Sequence, residues 1–515
     1  MTSRSLVSRI HLLGLLVLIA NAVMAASSYV QVAGLWRKEG SPRAAAFLDK
    51  LLGELPLIGR PQTLFTENWQ TLVTHFIPLA IVTMACMALL ILLPRIREQI
   101  EERGIAALYT WAFASVPVLV LAYPVFTQDL WLSAVWGRMV TNGINPYSVP
   151  FTPVAVANLP LDHFPMPMSY GPLWAVVSAA VMTFVGTNIL GAFLLFKILL
   201  AGAWIGSLIL LRRIGAEDPP LDRALAIVIF GWLPVGIGQT IAEGHNDIAM
   251  SSLALLWLYL LLRNKRGAPI ALAASALCKY ITAPLFLVDL IRGLRQENLG
   301  WSAYLRRMIV PAILALVVFA LFVRSFQFFD GTRLINVWRF LQPRDAVLAI
   351  NPMLGGHVWP LAHVATAILP IVAVWQCGRM WLEPTRENTI RACLAIMCAV
   401  TFSAVAHLWS WYIVWMLPFA ALVPNWWLSR FVVGVALLAP FTVAIWWIPH
   451  LADYKEHAAL VFYLAAIGWA ALVRYDVPAK DPTPQRRLSS SPSVPHRDRL
   501  RAARSQTHSD AGQEA

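Results

Sequence analysis

Asp129 is the residue with the clearest chemical potential in this chain. An apolar run ends at Phe126, the chain continues Gln128-Asp129-Leu130-Trp131, and a carboxylate is left at the mouth of a membrane helix. An ionisable group there is costly and marks a functional site by default. A carboxylate beside a partly desolvated cavity is expected to have a raised pKa and to serve as a general base toward a hydroxyl group. The bland reading is a helix-end residue held by a neighbouring cation such as Arg138. Two polar, Pro-containing pieces follow, Gly143-Ile144-Asn145-Pro146-Tyr147 and Ser169-Tyr170-Gly171-Pro172-Leu173-Trp174. They make Asn145, Tyr147 and Tyr170 candidates for substrate binding.

Four further groups could join Asp129. The turn Glu243-Gly244-His245-Asn246-Asp247 lies between two apolar runs. Its polar residues either cap the next helix or, through His245, Asn246 and Asp247, bind substrate hydroxyls. Lys279 interrupts an apolar run, and either snorkels to the interface or binds an anionic headgroup. Arg324, Arg333, Arg339 and Arg344 share one loop. If that loop is outside the cell, the positive-inside rule should deplete it of Arg, and a lipid phosphate gripped by Arg333, Arg339 or Arg344 would account for them. The plain alternative is a surface loop in which Asp330 and Asp345 are local partners. His407 opens the run His407-Leu408-Trp409-Ser410-Trp411-Tyr412. It reads equally as an interfacial residue or as a site member.

These residues must be carried by membrane helices. The chain is 58% hydrophobic and 13% charged, against about 25% charged in soluble domains. Apolar runs of roughly 18 residues or more recur, which indicates a polytopic membrane protein. The net charge of +13 does not point to nucleic acid, because the basic residues cluster between apolar runs and in the tail. That pattern points to membrane lipids instead. Cys86, Cys278, Cys377, Cys393 and Cys398 lie in or beside apolar runs, fit no metal spacing and read as small buried hydrophobes.

The expected fold is all-α, with about twelve transmembrane helices at roughly twenty residues each. The expected spans cover residues 10–32, 74–93, 106–126, 189–211, 224–240, 248–262, 309–322, 359–375, 393–406, 411–423, 431–447 and 458–472. Two further segments, 172–185 and 269–290, read as broken or re-entrant. The first is short and must stay on the outer face if Arg212-Arg213 is to lie inside. The second carries Lys279 and Pro284 at its centre. The first span is read as retained, with cleavage near Ala25-Ala26 as the alternative. Both termini are then cytoplasmic. Residues 1–105 form a two-span extension, 106–475 a catalytic core, and 476–515 a basic, disordered cytoplasmic tail.

Taken together, these pieces resemble the GT-C class of membrane glycosyltransferases, and within it the polyprenol-phosphomannose-dependent α-mannosyltransferases. The resemblance rests on Asp129-Leu130-Trp131, Gly143 to Tyr147, Tyr170 to Trp174, Gly244-His245-Asn246-Asp247, Lys279 and Trp411-Tyr412-Ile413-Val414-Trp415. It implies a GT-C-like fold in a bacterial inner membrane with an outward-facing site. It further implies a catalytic Asp in the first outer loop of the core, here Asp129. The implied reaction inverts the configuration of a hexose, mannose by resemblance, moved from a polyprenyl-phosphate donor to a glycan or glycolipid. Neither cofactor nor divalent metal is expected. Two spans precede the core that carries Asp129, whereas simpler members place the Asp after the first helix. A lipid flippase or secondary transporter is the rival reading, since broken helices suit that class too.

Overall fold

The computed structural model describes residues 3–38, 68–147, 159, 167–320, 359–404, 408–443 and 455–475. The described residues up to Tyr475 form one unit. Arg324, Arg333, Arg339, Arg344 and His407 lie outside the described residues, as does the tail.

The described residues are helical, as apolar runs in a bilayer must be to satisfy their backbone groups internally. Among the described residues the expected twelve spans are not found. By length and composition five described helices can cross a membrane: Ser5–Tyr29, Val73–Arg95, Glu102–Leu121, Ile189–Ile214 and Trp301–Val318. A sixth is the bent pair Pro220–Trp232 and Pro234–Ala242, if it counts as one span. The difference comes from interruptions that hydropathy does not register. The segment read as a continuous span over 224–240 bends by 54° at Leu233, where Pro234 removes a backbone donor. Wide helical turns with i to i+5 bonding lie on both sides of the bend, over Val228–Trp232 and Gly238–Ala242. Several further apolar helices are too short for a full crossing, among them Pro172–Val185, Asp247–Leu262 and Ala268–Cys278.

Both segments read as broken are discontinuous. Pro172–Val185 is a separate helix of 14 residues. Gly186, at φ +59°, ends it, and Asn188 caps the next helix by accepting a bond from the Gly191 N–H at 2.9 Å. The second segment breaks at Lys279, which is extended between Ala268–Cys278 and the tight turn Tyr280–Leu285.

Asp129 lies beyond the end of the spanning helix Glu102–Leu121, as expected, and it also opens a short helix of its own, Asp129–Thr141. A carboxylate in a first helical turn is favoured by the exposed N–H groups there. The Asp129–Thr141 helix packs along Pro172–Val185 so closely that a methyl group on Gly137 would lie 2.4 Å from the Ser178 carbonyl oxygen. Trp131, Trp136, Trp174, Trp204, Trp257 and Trp415 are fully buried in the core around these helices. All five cysteines are buried and unbridged.

Candidate active site

Three chain segments meet at Asp129. The first is the start of the Asp129–Thr141 helix. The second is the loop before Pro172, which carries Tyr170. The third is the turn at Gly244, whose φ of +78° places His245 against the first. Close packing keeps that turn in place: a methyl group on Gly244 would lie 2.9 Å from Leu130 Cδ1.

Two donors converge on one oxygen of Asp129. The Tyr170 hydroxyl donates to Oδ2 at 2.6 Å, and His245 Nδ1 lies 2.9 Å from the same atom. An ionised carboxylate can only accept, so Nδ1 carries the proton. Among the described residues Oδ1 of Asp129 makes no hydrogen bond, and 15% of the side chain remains exposed. Burial alone would push the Asp129 carboxyl up. The charge and hydrogen bond of His245, the hydrogen bond of Tyr170 and the charge of Lys279 outweigh it and hold the group at about 2. The raised pKa expected from the sequence is therefore reversed. Burial and the nearby carboxylates of Asp129 and Asp247 push the Tyr170 phenol well above its ordinary range, so it remains a donor.

A second pair lies beside the first. Lys279 Nζ donates to Asp247 Oδ1 at 2.7 Å, and the Trp415 indole N–H donates to the same oxygen. The ammonium lies 5.0 Å from the centres of the Tyr170 and Tyr412 rings and 4.9 Å from that of Trp415. Such cation–π contacts compensate a cation for lost water. Lys279 does not snorkel: its ammonium is held by Asp247 and lies among three aromatic rings. His245 is stacked on Trp411, with ring centres 4.0 Å apart, and Trp411 stacks in turn on Trp409 at 5.0 Å.

The turn 245–247 also holds polar atoms without partners among the described residues: His245 Nε2, Asn246 Oδ1 and Asp247 Oδ2, all buried. Asn246 sits at the helix start but makes no side-chain cap. Asn145 and Tyr147 act more locally. Asn145 Oδ1 accepts the Tyr147 N–H at 2.8 Å, and the Tyr147 hydroxyl donates to the Tyr170 carbonyl at 3.0 Å. They support Tyr170 rather than touch Asp129. The Tyr170 loop is pinned from behind, where the Gly171 N–H donates to the Cys278 carbonyl at 2.8 Å. Among the described residues no three His, Cys, Asp or Glu side chains could share a metal ion.

Sequence reasoning thus singled out Asp129, Tyr170, His245, Asp247 and Lys279, which the structure brings together. It missed Lys197 and the bonds made by Glu243. Lys197 had a legible signal, an ammonium in the middle of an apolar helix.

A family model described as alpha-(1->6)-mannopyranosyltransferase, N-terminal domain, matches residues 44–292, just under half of the chain. The match contains Asp129, Tyr170, His245, Asp247 and Lys279, while Trp411, Tyr412 and Trp415 lie beyond it. The chain is similar to an alpha-(1->6)-mannopyranosyltransferase A of Mycobacterium tuberculosis, 27% identical over 219 residues, or 39% of this chain and 41% of that protein. It is also similar to an alpha-(1->6)-mannopyranosyltransferase A of Corynebacterium glutamicum, 28% identical over 182 residues, or 34% of this chain and 36% of that protein. The matched stretch therefore spans about two fifths of these relatives. The resemblance to GT-C-like mannosyltransferases read from the motifs is supported by both comparisons.

Proposed function

We propose, with this mannosyltransferase match as premise, that the chain transfers mannose from a polyprenyl-phosphate donor to a glycan or glycolipid acceptor. The reaction takes place at the outer face of a bacterial inner membrane, with both termini in the cytoplasm and Asp129 as general base. The observation that carries this reading is the state of Asp129: ionised between His245 and Tyr170, with Oδ1 open.

The step is a single displacement. The acceptor oxygen attacks the anomeric carbon opposite the phosphate, and its proton passes to Asp129 Oδ1. The bond from the anomeric carbon to the phosphate oxygen breaks, and its electron pair leaves with the polyprenyl phosphate. The anomeric configuration inverts. A carboxylate held at about 2 is a weak base, so proton transfer comes late, once the forming C–O bond has made the acceptor oxygen acidic. The leaving phosphate is stabilised electrostatically. Since Asp247 engages Lys279, the loop residues Arg333, Arg339 and Arg344 are the first candidates for that role. No nucleotide, metal or other cofactor enters the step.

The test is Asp129→Asn in membranes supplied with polyprenyl-phosphate mannose. Loss of a general base predicts a drop of about 100-fold or more in transfer, with folded protein retained. Wild-type transfer by that variant would sink the assignment. The rival transporter reading draws on the helix bent by 54°, since discontinuous helices line transport sites. It predicts movement of a labelled solute into proteoliposomes without any acceptor.

A further inference from the structure

We infer that Lys197 and Glu243 are positioning residues that hold Asp129 and His245 in register; the role assigned to that pair rests on the reading of Asp129 as base. Both side chains are buried, and neither makes a hydrogen bond to Asp129 or His245. What they touch is the backbone leading into each of those residues.

Lys197 lies on the Ile189–Ile214 helix. Its ammonium donates to the Ala122 carbonyl at 2.9 Å, to the Ile241 carbonyl at 2.6 Å and to the Ala242 carbonyl. Ala122 immediately follows the Glu102–Leu121 helix, and Ile241 and Ala242 end the turn Gly238–Ala242. The last carbonyls of a helix have no partner within it, and a cation placed there satisfies them and faces the negative end of the dipole. Lys197 therefore ties two helix ends together.

Glu243 makes the reciprocal connection. Its Oε2 accepts the N–H of Val125 at 3.0 Å and the N–H of Phe126 at 2.9 Å. The segment 122–126, three residues before Asp129, is thus fastened to the segment 241–243, two residues before His245. One clamp uses carbonyls from both segments. The other uses a side chain from the second to hold N–H groups of the first. The charges of Lys197 and Glu243 also act on each other.

A buried ionic group is weak evidence for stability, because apolar replacements often serve as well. Its effect here is geometric. The Asp129–His245 contact depends on the relative placement of two loops from distant parts of the chain. A shift of about 1 Å at reacting groups costs on the order of 100-fold in rate.

The experiment uses the full chain in lipid nanodiscs, with Glu243→Ala, Glu243→Gln, Glu243→Asp and Lys197→Met. Two quantities are read per folded molecule: kcat and donor KM with polyprenyl-phosphate mannose, and the ring-nitrogen NMR signals of His245, assigned by their loss in His245→Asn. Glu243→Ala and Lys197→Met should lower kcat by about 30-fold or more, with donor KM changed less than about threefold. The His245 Nδ1 signal should shift or broaden in both. Glu243→Gln keeps an oxygen for both N–H groups and should recover kcat to within about fivefold of wild type. Glu243→Asp keeps the charge but shortens the reach, and should lose kcat by about tenfold; it decides the matter if the alanine variant does not fold. Wild-type kcat and an unchanged His245 spectrum in Glu243→Ala, or in Glu243→Asp if only that variant folds, overturn the inference. So does a lower folded yield with unchanged kcat per folded molecule. If the wild type transfers no mannose, the functional reading fails, and the NMR signals alone still decide whether the clamp positions His245.

Discussion

His245 Nδ1 lies 2.9 Å from Asp129 Oδ2, a contact between residues 116 positions apart in the chain. It sets the tautomer of the ring, leaves Nε2 without a partner among the described residues, and keeps the carboxylate ionised. The consequences of this pairing and its neighbours can be measured.

The pairing has a pH signature. Asp129 falls from its ordinary 3.8 to about 2 in the folded chain. A lowered carboxyl pKa adds stability that is complete above the unfolded value and is lost as pH falls through the folded one. The difference in thermal midpoint between wild type and Asp129→Asn should therefore shrink as pH falls below about 4. Transfer activity should show no acidic limb from Asp129 above about pH 5. A difference that does not shrink below about pH 4 would contradict the ionised pair.

Tyr170→Phe removes a 2.6 Å bond to Asp129 and keeps the ring against Lys279 and Trp136. A hydrogen bond to a charged group is worth about 1.5–3 kcal/mol, so kcat should fall by roughly tenfold or more with little change in donor KM. Steady-state kinetics on folded enzyme check this. An equal rise in KM with kcat intact would place Tyr170 in substrate binding alone.

Lys279 and Asp247 should behave as one unit. Removing Lys279 leaves a fully buried carboxylate without its cation, a change worth about 3–5 kcal/mol in comparable buried pairs. Lys279→Met should therefore destabilise more than Lys279→Met combined with Asp247→Asn. Unfolding in detergent across the four-member cycle should give a coupling of about 1–3 kcal/mol. Additive single effects would show that the pair is not coupled.

Gly171→Ala tests how the Tyr170 loop is held. The new methyl would lie 2.1 Å from the Leu277 carbonyl oxygen and 2.6 Å from its carbon. Backbone atoms cannot rotate away, so the loop must move. Overpacking of this kind costs about 1–3 kcal/mol or more. A lower thermal midpoint together with reduced transfer is expected, and an unchanged midpoint would show that the loop is not pinned there.

Much of the framework was legible beforehand. The apolar runs identify an all-helical membrane protein, because a bilayer leaves few other ways to satisfy the backbone. The short helix Pro172–Val185 and the break at Lys279 follow from Gly, Asn, Lys and Pro at particular positions. The span count did not follow. Hydropathy counts apolar residues, and the bend at Leu233 and the wide turns beside it barely change that count.

The site divides in the same way. By itself the sequence determined which side chains are chemically out of place among apolar neighbours: Asp129, the 243–247 turn and Lys279. Only the tertiary structure decided their partners. Asp129 meets His245 and Tyr170, Asp247 meets Lys279 and Trp415, and Glu243 meets the backbone of Val125 and Phe126. That is why the direction of the Asp129 shift was misjudged. Burial is a local property and leaves a trace in the residues nearby. The charges and donors that outweigh it arrive from 41, 116 and 150 positions away, brought there by packing alone.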